Sequence, residues 1–275
     1  MRSREPTRDL NGGQWLLVGA VVLYLGAILL LPLAALVGQA FKSGLAPLAG
    51  AFDDPVARHG LWLSLILAAI ALAANGLFGV AGALVLTRQR FIGRRVLDAL
   101  VDLPLAVSPV MTGLAFLLIF GREGWLAPVL DNAGWKVTFA FPGLVLATLF
   151  VTFPFTLREV AYVLEELGTD EEEAAATLGA SPWQTFWRVT LPNIRYGLGY
   201  GVILTVARSL GEFGAVLVLG GAISGHTQTA TTFIYNALEE RQEPSAYSVA
   251  LVLALASVVL LVALEWLKRQ RRKEM

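Results

Sequence analysis

The stretch EEEAAATLGASPWQTFWRVTLP, Glu171–Pro192, lies between two long apolar runs of a very hydrophobic chain. Its first half is built of strong helix formers, Ala and Glu. Thr169 and Asp170 stand where a cap belongs, and Glu171–Glu173 complement the positive end of the helix dipole. Gly179 fits a left-handed stop. Ser181 then caps a second short helix with Pro182 at its first position. That helix carries Trp183, Phe186, Trp187 and Val189, and Leu191-Pro192 is expected to end it. The pattern predicts a helix–turn–helix with small alanines on one arm and large aromatics on the other. A solvated connector has no need of Trp183, Phe186 and Trp187. Trp and Phe are anchors of interface cores, so the segment reads as a docking element.

The surroundings set where it docks. Of 275 residues, 56% are hydrophobic and 15% are charged. A soluble domain averages about 45–50% and about 25%. Mean hydropathy is +0.65, so the chain reads as a membrane protein. Six apolar runs approach the roughly 20 residues needed to cross a bilayer: 15–38, 61–87, 101–120, 139–157, 197–221 and 246–267. Pro142 and Pro154 fall inside the fourth. The first run follows Arg2, Arg4 and Arg8 but is too long for the apolar region of a cleaved leader, so it reads as a span. There are no cysteines, which excludes disulfides, thiol nucleophiles and zinc–thiolate sites. The formal net charge is zero, and no nucleic-acid partner is indicated.

Basic residues orient the spans. Arg2, Arg4, Arg8, Arg88, Arg90, Arg94, Arg95, Arg158, Arg188, Arg195 and the tail Lys268, Arg269, Arg271, Arg272 and Lys273 fall on one side. Lys42, Arg58, Arg122, Lys136 and Arg241 fall on the other. The bias places both termini, and Glu171–Pro192, in the cytoplasm. Trp15, Trp62 and Trp266 lie at span ends as interface anchors.

Two spans carry polar groups. Arg208 and Glu212 are four apart, on one face of a fifth-span helix, and Arg208 lies about 18 Å past Tyr196, near mid-membrane. Charges at that depth must face protein or water. They form either a structural bridge or the border of a translocation path or gate. Gly197, Gly201, Ala207, Gly211 and Ala215 give the same span a small-residue face for close helix crossing. Gly211 and Gly214 also offer a place to bend. In span three, Pro104 and Pro109 weaken the helix, and Ser108 and Thr112 put two hydroxyls on one face. These either line a polar path or bond back to freed carbonyls. His59 and His226 stand alone in predicted external loops and suggest neither a metal site nor a catalytic one.

The opening segment resembles the EAA loop of permease subunits of ATP-binding-cassette importers, whose pattern is E-A-A-x3-G-x9-I-x-L-P. Glu173, Ala174, Ala175, Gly179, Val189, Leu191 and Pro192 occupy those positions, with Val189 in place of Ile. The resemblance implies that Glu173, Ala174, Ala175, Gly179, Ala180 and Trp183 belong to a coupling helix seated in a cleft of an ATPase dimer. A phosphate-binding loop needs Gly-Lys, and none of Lys42, Lys136, Lys268 and Lys273 follows a glycine. ATP and magnesium are therefore expected on the partner ATPase, with no cofactor on this chain.

VDLPLAVSPVMTGLAFLLIFG (101–121), FPGLVLATLFVTFPFTLREV (141–160), residues 178–205 and ARSLGEFGAV (207–216) further resemble sulfate/thiosulfate importer permeases, above all their W-type subunits. The resemblance implies an all-α membrane protein of six transmembrane helices with the type I importer permease fold. It also implies a T-type permease partner, an ATPase dimer and a periplasmic sulfate-binding protein, assembled in the bacterial inner membrane. The expected layout is a cytoplasmic tail (1–14), a first span (15–38), a transmembrane domain (59–267) with its coupling loop at 168–195, and a basic tail (268–275). Molybdate and tungstate permeases share the G-E-F-G-A signature, and the additional first span favours sulfate. An ion-coupled secondary transporter would show internal repeats, which are not found. A membrane enzyme would need a cluster of catalytic groups, and none is evident.

Overall fold

The computed structural model describes residues 12–42 and 52–274. Every regular element among them is helical. The first helix, α1 (Gly12–Lys42), lies against the chain's last helix with most of its apolar side chains exposed. The 34-residue α2 (Pro55–Arg88) starts where Asp54 accepts the Val56 amide at 2.8 Å and Pro55 presets the first turn.

The third expected span is broken. The lead-in helix α3 (Arg94–Val101) is followed by its two pieces, α4 (Leu103–Ala106) and α5 (Pro109–Phe120). Gly93 enters α3 at φ +94, and Val107 and Ser108 are extended between α4 and α5. Pro104 and Pro109 each sit in a first turn, where the missing N–H costs nothing. The 12-residue α5 rises only about 18 Å, short of the hydrocarbon thickness. After α6 (Ala127–Ala133) comes α7 (Phe141–Leu167), ten residues longer at its far end than the predicted fourth span. Pro142 sits in the first turn of α7 rather than within a span. Pro154 does lie inside the helix, and it is buried.

The predicted coupling segment is built from α8 (Asp170–Thr177), α9 (Pro182–Thr185) and a π-helical turn (Phe186–Thr190), and it leads into α10 (Leu191–Leu210). Beyond a break lies α11 (Gly214–Gly220), bent 54° from the preceding helix. The short α12 (Ala230–Glu239) and the 32-residue α13 (Glu243–Glu274) complete the chain. The helix of α13 runs through the expected basic tail.

Four described helices are long and apolar enough to cross a membrane, and the bent pair makes a fifth candidate. The remaining expected span, the third, falls on the broken stretch.

The core lies where α2, α7 and α10 meet. Val80, Ala83, Leu86, Leu157, Val160, Leu164 and Ile194 form one buried cluster there. Glycines set the approach. A Cβ on Gly201 would lie 2.8 Å from the Thr156 Cα, and one on Gly197 would lie 2.6 Å from a Val163 methyl. The predicted small-residue face of span five thus packs on α7, within this chain.

Candidate functional site

The opening segment adopts the predicted helix–turn–helix in most respects. Gly179 takes φ +85, and its amide and that of Ala180 close onto the carbonyls of Ala176 and Ala175. Ser181 and Gln184 form a reciprocal capping box over α9. Thr169 departs from expectation. It stands at the start of α8 without capping an amide, and its hydroxyl donates to Glu173 at 2.7 Å instead. Glu173 and Ala174 are exposed, whereas Ala175 and Ala180 are half-buried. Trp183, Phe186 and Trp187 pack together with ring centroids 5.5–6.1 Å apart. Phe186 reaches the core cluster, while Trp183 is 69% exposed, Trp187 51% and Leu178 89%. Exposed apolar side chains of this kind, on a segment that also exposes Glu171 and Glu173, are a feature of surfaces that meet other proteins.

The expected stop at Leu191-Pro192 does not occur. The Leu191 amide donates to the Phe186 carbonyl, five residues back, and Pro192 takes the first turn of α10. Proline has no N–H for the Arg188 carbonyl and its ring would crowd it. One extra residue in the preceding turn removes both conflicts, and the helix continues. The exposed tryptophans therefore stand on the same continuous rod as Arg208.

Two arginine clamps hold this end of the bundle, and the sequence reading had treated both arginines only as topological charges. Arg88, the last residue of α2, donates from Nε to Glu172 Oε2 at 2.8 Å and from its terminal nitrogens to the Leu164 and Gly168 carbonyls at 3.1 and 2.6 Å. Thr190 Oγ1 donates to the other oxygen of Glu172 at 2.9 Å. Arg158 on α7 grips both oxygens of Asp102 at 2.7 Å and Asp98 Oδ1 at 2.6 Å. Asp98 and Asp102 are four residues apart, a helical spacing visible in the sequence. Their partner was not.

The predicted intramembrane pair forms, with a changed placement. Arg208 Nη1 lies 2.7 Å from Glu212 Oε2, but α10 ends at Leu210, so Glu212 sits in the break rather than on the same helix. Its other oxygen accepts the Ala215 amide at 3.0 Å, at the start of α11. Its own carbonyl accepts from Thr231 Oγ1 at 2.6 Å. The Glu212 side chain is 1% exposed and that of Arg208 30%. Oε2 makes no aligned hydrogen bond, so charge is what binds it to Arg208.

Ser108 and Thr112 part company. Ser108 is exposed at the start of α5, whereas Thr112 is buried with an unpartnered hydroxyl. Its neighbour Gly113 faces Ala215 and Val218 of α11. Of the two readings offered for these hydroxyls, the back-bond to a freed carbonyl is made by neither. A buried polar seam went unnoticed in the sequence. Asn75 donates to Thr152 at 2.7 Å, Thr152 to the Thr148 carbonyl at 2.6 Å, and Thr156 and Thr205 join at 2.9 Å. The four-residue spacing of Thr148, Thr152 and Thr156 was its available signal.

Residues 75–273 match the family described as "Binding-protein-dependent transport system inner membrane component". The chain belongs to this family. Among relatives, a Sulfate transport system permease protein CysW of Synechococcus elongatus is 47% identical over 246 residues, covering 90% of this chain and 86% of that one. The CysW of Escherichia coli is 42% identical over 273 residues, covering 98% and 94%. A Sulfate transport system permease protein CysT of Escherichia coli is 40% identical over 262 residues, covering 95% of each. Among solved structures, a chain of a bacterial alginate ABC transporter superposes with a TM-score of 0.74 at 19% identity, covering 94% of both chains. A chain of the MetNI methionine ABC transporter gives 0.57 at 19% identity, covering 78% and 95%. The fold is thus that of an ABC transporter permease, and the family places the chain in the inner membrane as a transport component.

Proposed function

We propose that this family member is the W-type permease subunit of an ATP-driven sulfate/thiosulfate importer. It forms half of a pathway completed by a T-type permease, and it is served by a periplasmic sulfate-binding protein. The observation that carries the reading is the continuity of α9, the π turn and α10. A tryptophan-bearing surface fitted to a partner stands on the rod that leads to Arg208 and the bend at Glu212. An ATPase dimer that binds ATP and magnesium would draw these surfaces together as it closes, and the rod would carry the displacement into the membrane.

In this reading the broken α4–α5 stretch completes a sixth span against the partner permease, and both termini lie in the cytoplasm. Arg208, Glu212, Thr112 and Ser108 border the path or its gate. A permease gains little from holding a dianion tightly, and an Arg already neutralised by Glu suits passage better than storage. The sulfate names of relatives at 40–47% identity favour sulfate over molybdate.

The test is ATP-dependent uptake of labelled sulfate into vesicles carrying this chain with its co-encoded permease, ATPase and binding protein. Competition by thiosulfate but only weakly by molybdate is expected. Negligible sulfate uptake beside robust molybdate uptake would overturn the substrate.

A further inference from the structure

We propose that Arg88 is a positioning residue that ties α2 to the coupling segment, so that the docking helices move α2 as well as α10. The proposal rests on the coupling role argued above. The α10 route is covalent. The α2 route is not, since Arg88 and Glu172 are 84 residues apart in the chain and meet only through the fold.

The geometry of the tie is that of a joint. Arg88 spends its fork on three acceptors, all contributed by the coupling segment or the end of α7 that feeds it: Glu172, the Gly168 carbonyl and the Leu164 carbonyl. The side chains of Arg88 and Glu172 are only 16% and 23% exposed, so water and salt screen the pair weakly. Glu172 holds Thr190 with its second oxygen. One carboxylate therefore joins α2, α8 and the π turn.

Apolar packing reaches the segment at Phe186, which lies against the core cluster that α2 shares, and Arg88 adds the polar tie to Glu172 of α8. Beside that contact, Leu84 and Val85 of α2 and Ala176, Ala180 and Phe186 of the segment line an open groove of about 520 Å³. Thirteen residues before Arg88, roughly 20 Å along α2, Asn75 makes its buried bond to Thr152. A pull on Glu172 thus reaches the polar seam of α7 through α2. Glu172 stands one residue before the Glu173-Ala174-Ala175 triplet, so this role is separate from the docking surface.

The chain has no cysteines, so a single introduced thiol reports alone in this subunit. Phe78 of α2 is 63% exposed and makes a suitable position. Phe78→Cys would be placed in the full complex with cysteine-free partners, and maleimide labelling would be timed with and without ATP plus vanadate. With Arg88 intact, the trapped state is expected to change the labelling rate roughly fivefold or more. Arg88→Ala and Arg88→Met, which keeps the side-chain bulk but donates nothing, should bring the ratio close to one, and Arg88→Lys, which keeps a charged donor, should retain part of the response. An unchanged ratio in Arg88→Ala overturns the proposal, as does no nucleotide response with Arg88 intact. A full response in Arg88→Met also overturns it, because packing would then be the cause. If Arg88→Ala does not assemble, Arg88→Met and Arg88→Lys decide by the same ratio. Sulfate uptake by the same preparations is scored separately. Its absence beside an intact labelling response would reject the substrate and leave the tie supported.

Discussion

Arg208 and Glu212 meet at 2.7 Å across the end of a helix, one on the last turn of α10 and the other in the 54° break that follows. The break has three fastenings at Glu212: the arginine, the Ala215 amide and the Thr231 hydroxyl. A bend fixed this way can reset if one fastening changes, as the gate proposed above would require.

Glu212→Gln tests the charge while sparing the shape. The amide oxygen can still accept from Ala215, but Arg208 loses its counter-charge. Breaking a buried pair costs about 3–5 kcal/mol, and the partial exposure of Arg208 reduces this to roughly 2–3 kcal/mol. A lower unfolding midpoint of the detergent-purified complex and reduced uptake are expected. Wild-type values of both would mean that the charge is incidental.

Gly179 serves the turn between α8 and α9. A Cβ there meets nothing within 4 Å, so crowding is absent and the cost lies in φ +85. That conformation costs a branched residue about 1–2 kcal/mol and would tilt α9 against α8. Gly179→Val should insert and assemble normally while ATP hydrolysis becomes uncoupled from transport. Full uptake per ATP hydrolysed would remove this account of the turn.

Much of this was legible because the determining residues are close in sequence. Gly179, Ser181, Pro182 and Gln184 act within one turn of each other, and the Gly197–Gly201 face repeats at helical spacing. Pro192 misled for the opposite reason. Whether a proline stops a helix depends on whether the turn before it can widen, and here the anchoring of Phe186 and Thr190 in the fold accompanies that widening. Arg88 and Arg158 looked like topology signals because their partners lie 84 and 56–60 residues away. The same distance hid the bond between Asn75 and Thr152.

The aromatic surface predicts a separation between folding and docking. Trp183 and Trp187 project outward, whereas Phe186 touches the core. Trp183→Ala or Trp187→Ala should leave the unfolding midpoint of the isolated permease pair nearly unchanged. Each should weaken capture of the ATPase by about 2 kcal/mol or more, the usual loss at an interface anchor. Phe186→Ala should instead lower the midpoint. Wild-type ATPase affinity in both tryptophan variants, measured by titration in detergent, would place the docking surface elsewhere.

Gly201 provides the last test, of packing rather than chemistry. Its missing side chain lets α10 lie against Thr156, whose hydroxyl pairs with Thr205 one turn further on. Gly201→Val would push its Cβ to within 2.8 Å of backbone on α7, where no rotamer change gives relief. Overpacking of that kind typically costs about 1–3 kcal/mol. Displacing α10 would also stretch the Thr156–Thr205 bond and the rod beneath the docking surface. Gly201→Ala should therefore lower the unfolding midpoint and uptake modestly, and Gly201→Val should lower both further. A Gly201→Val complex with wild-type stability would mean that α7 and α10 do not approach as closely as this structure places them.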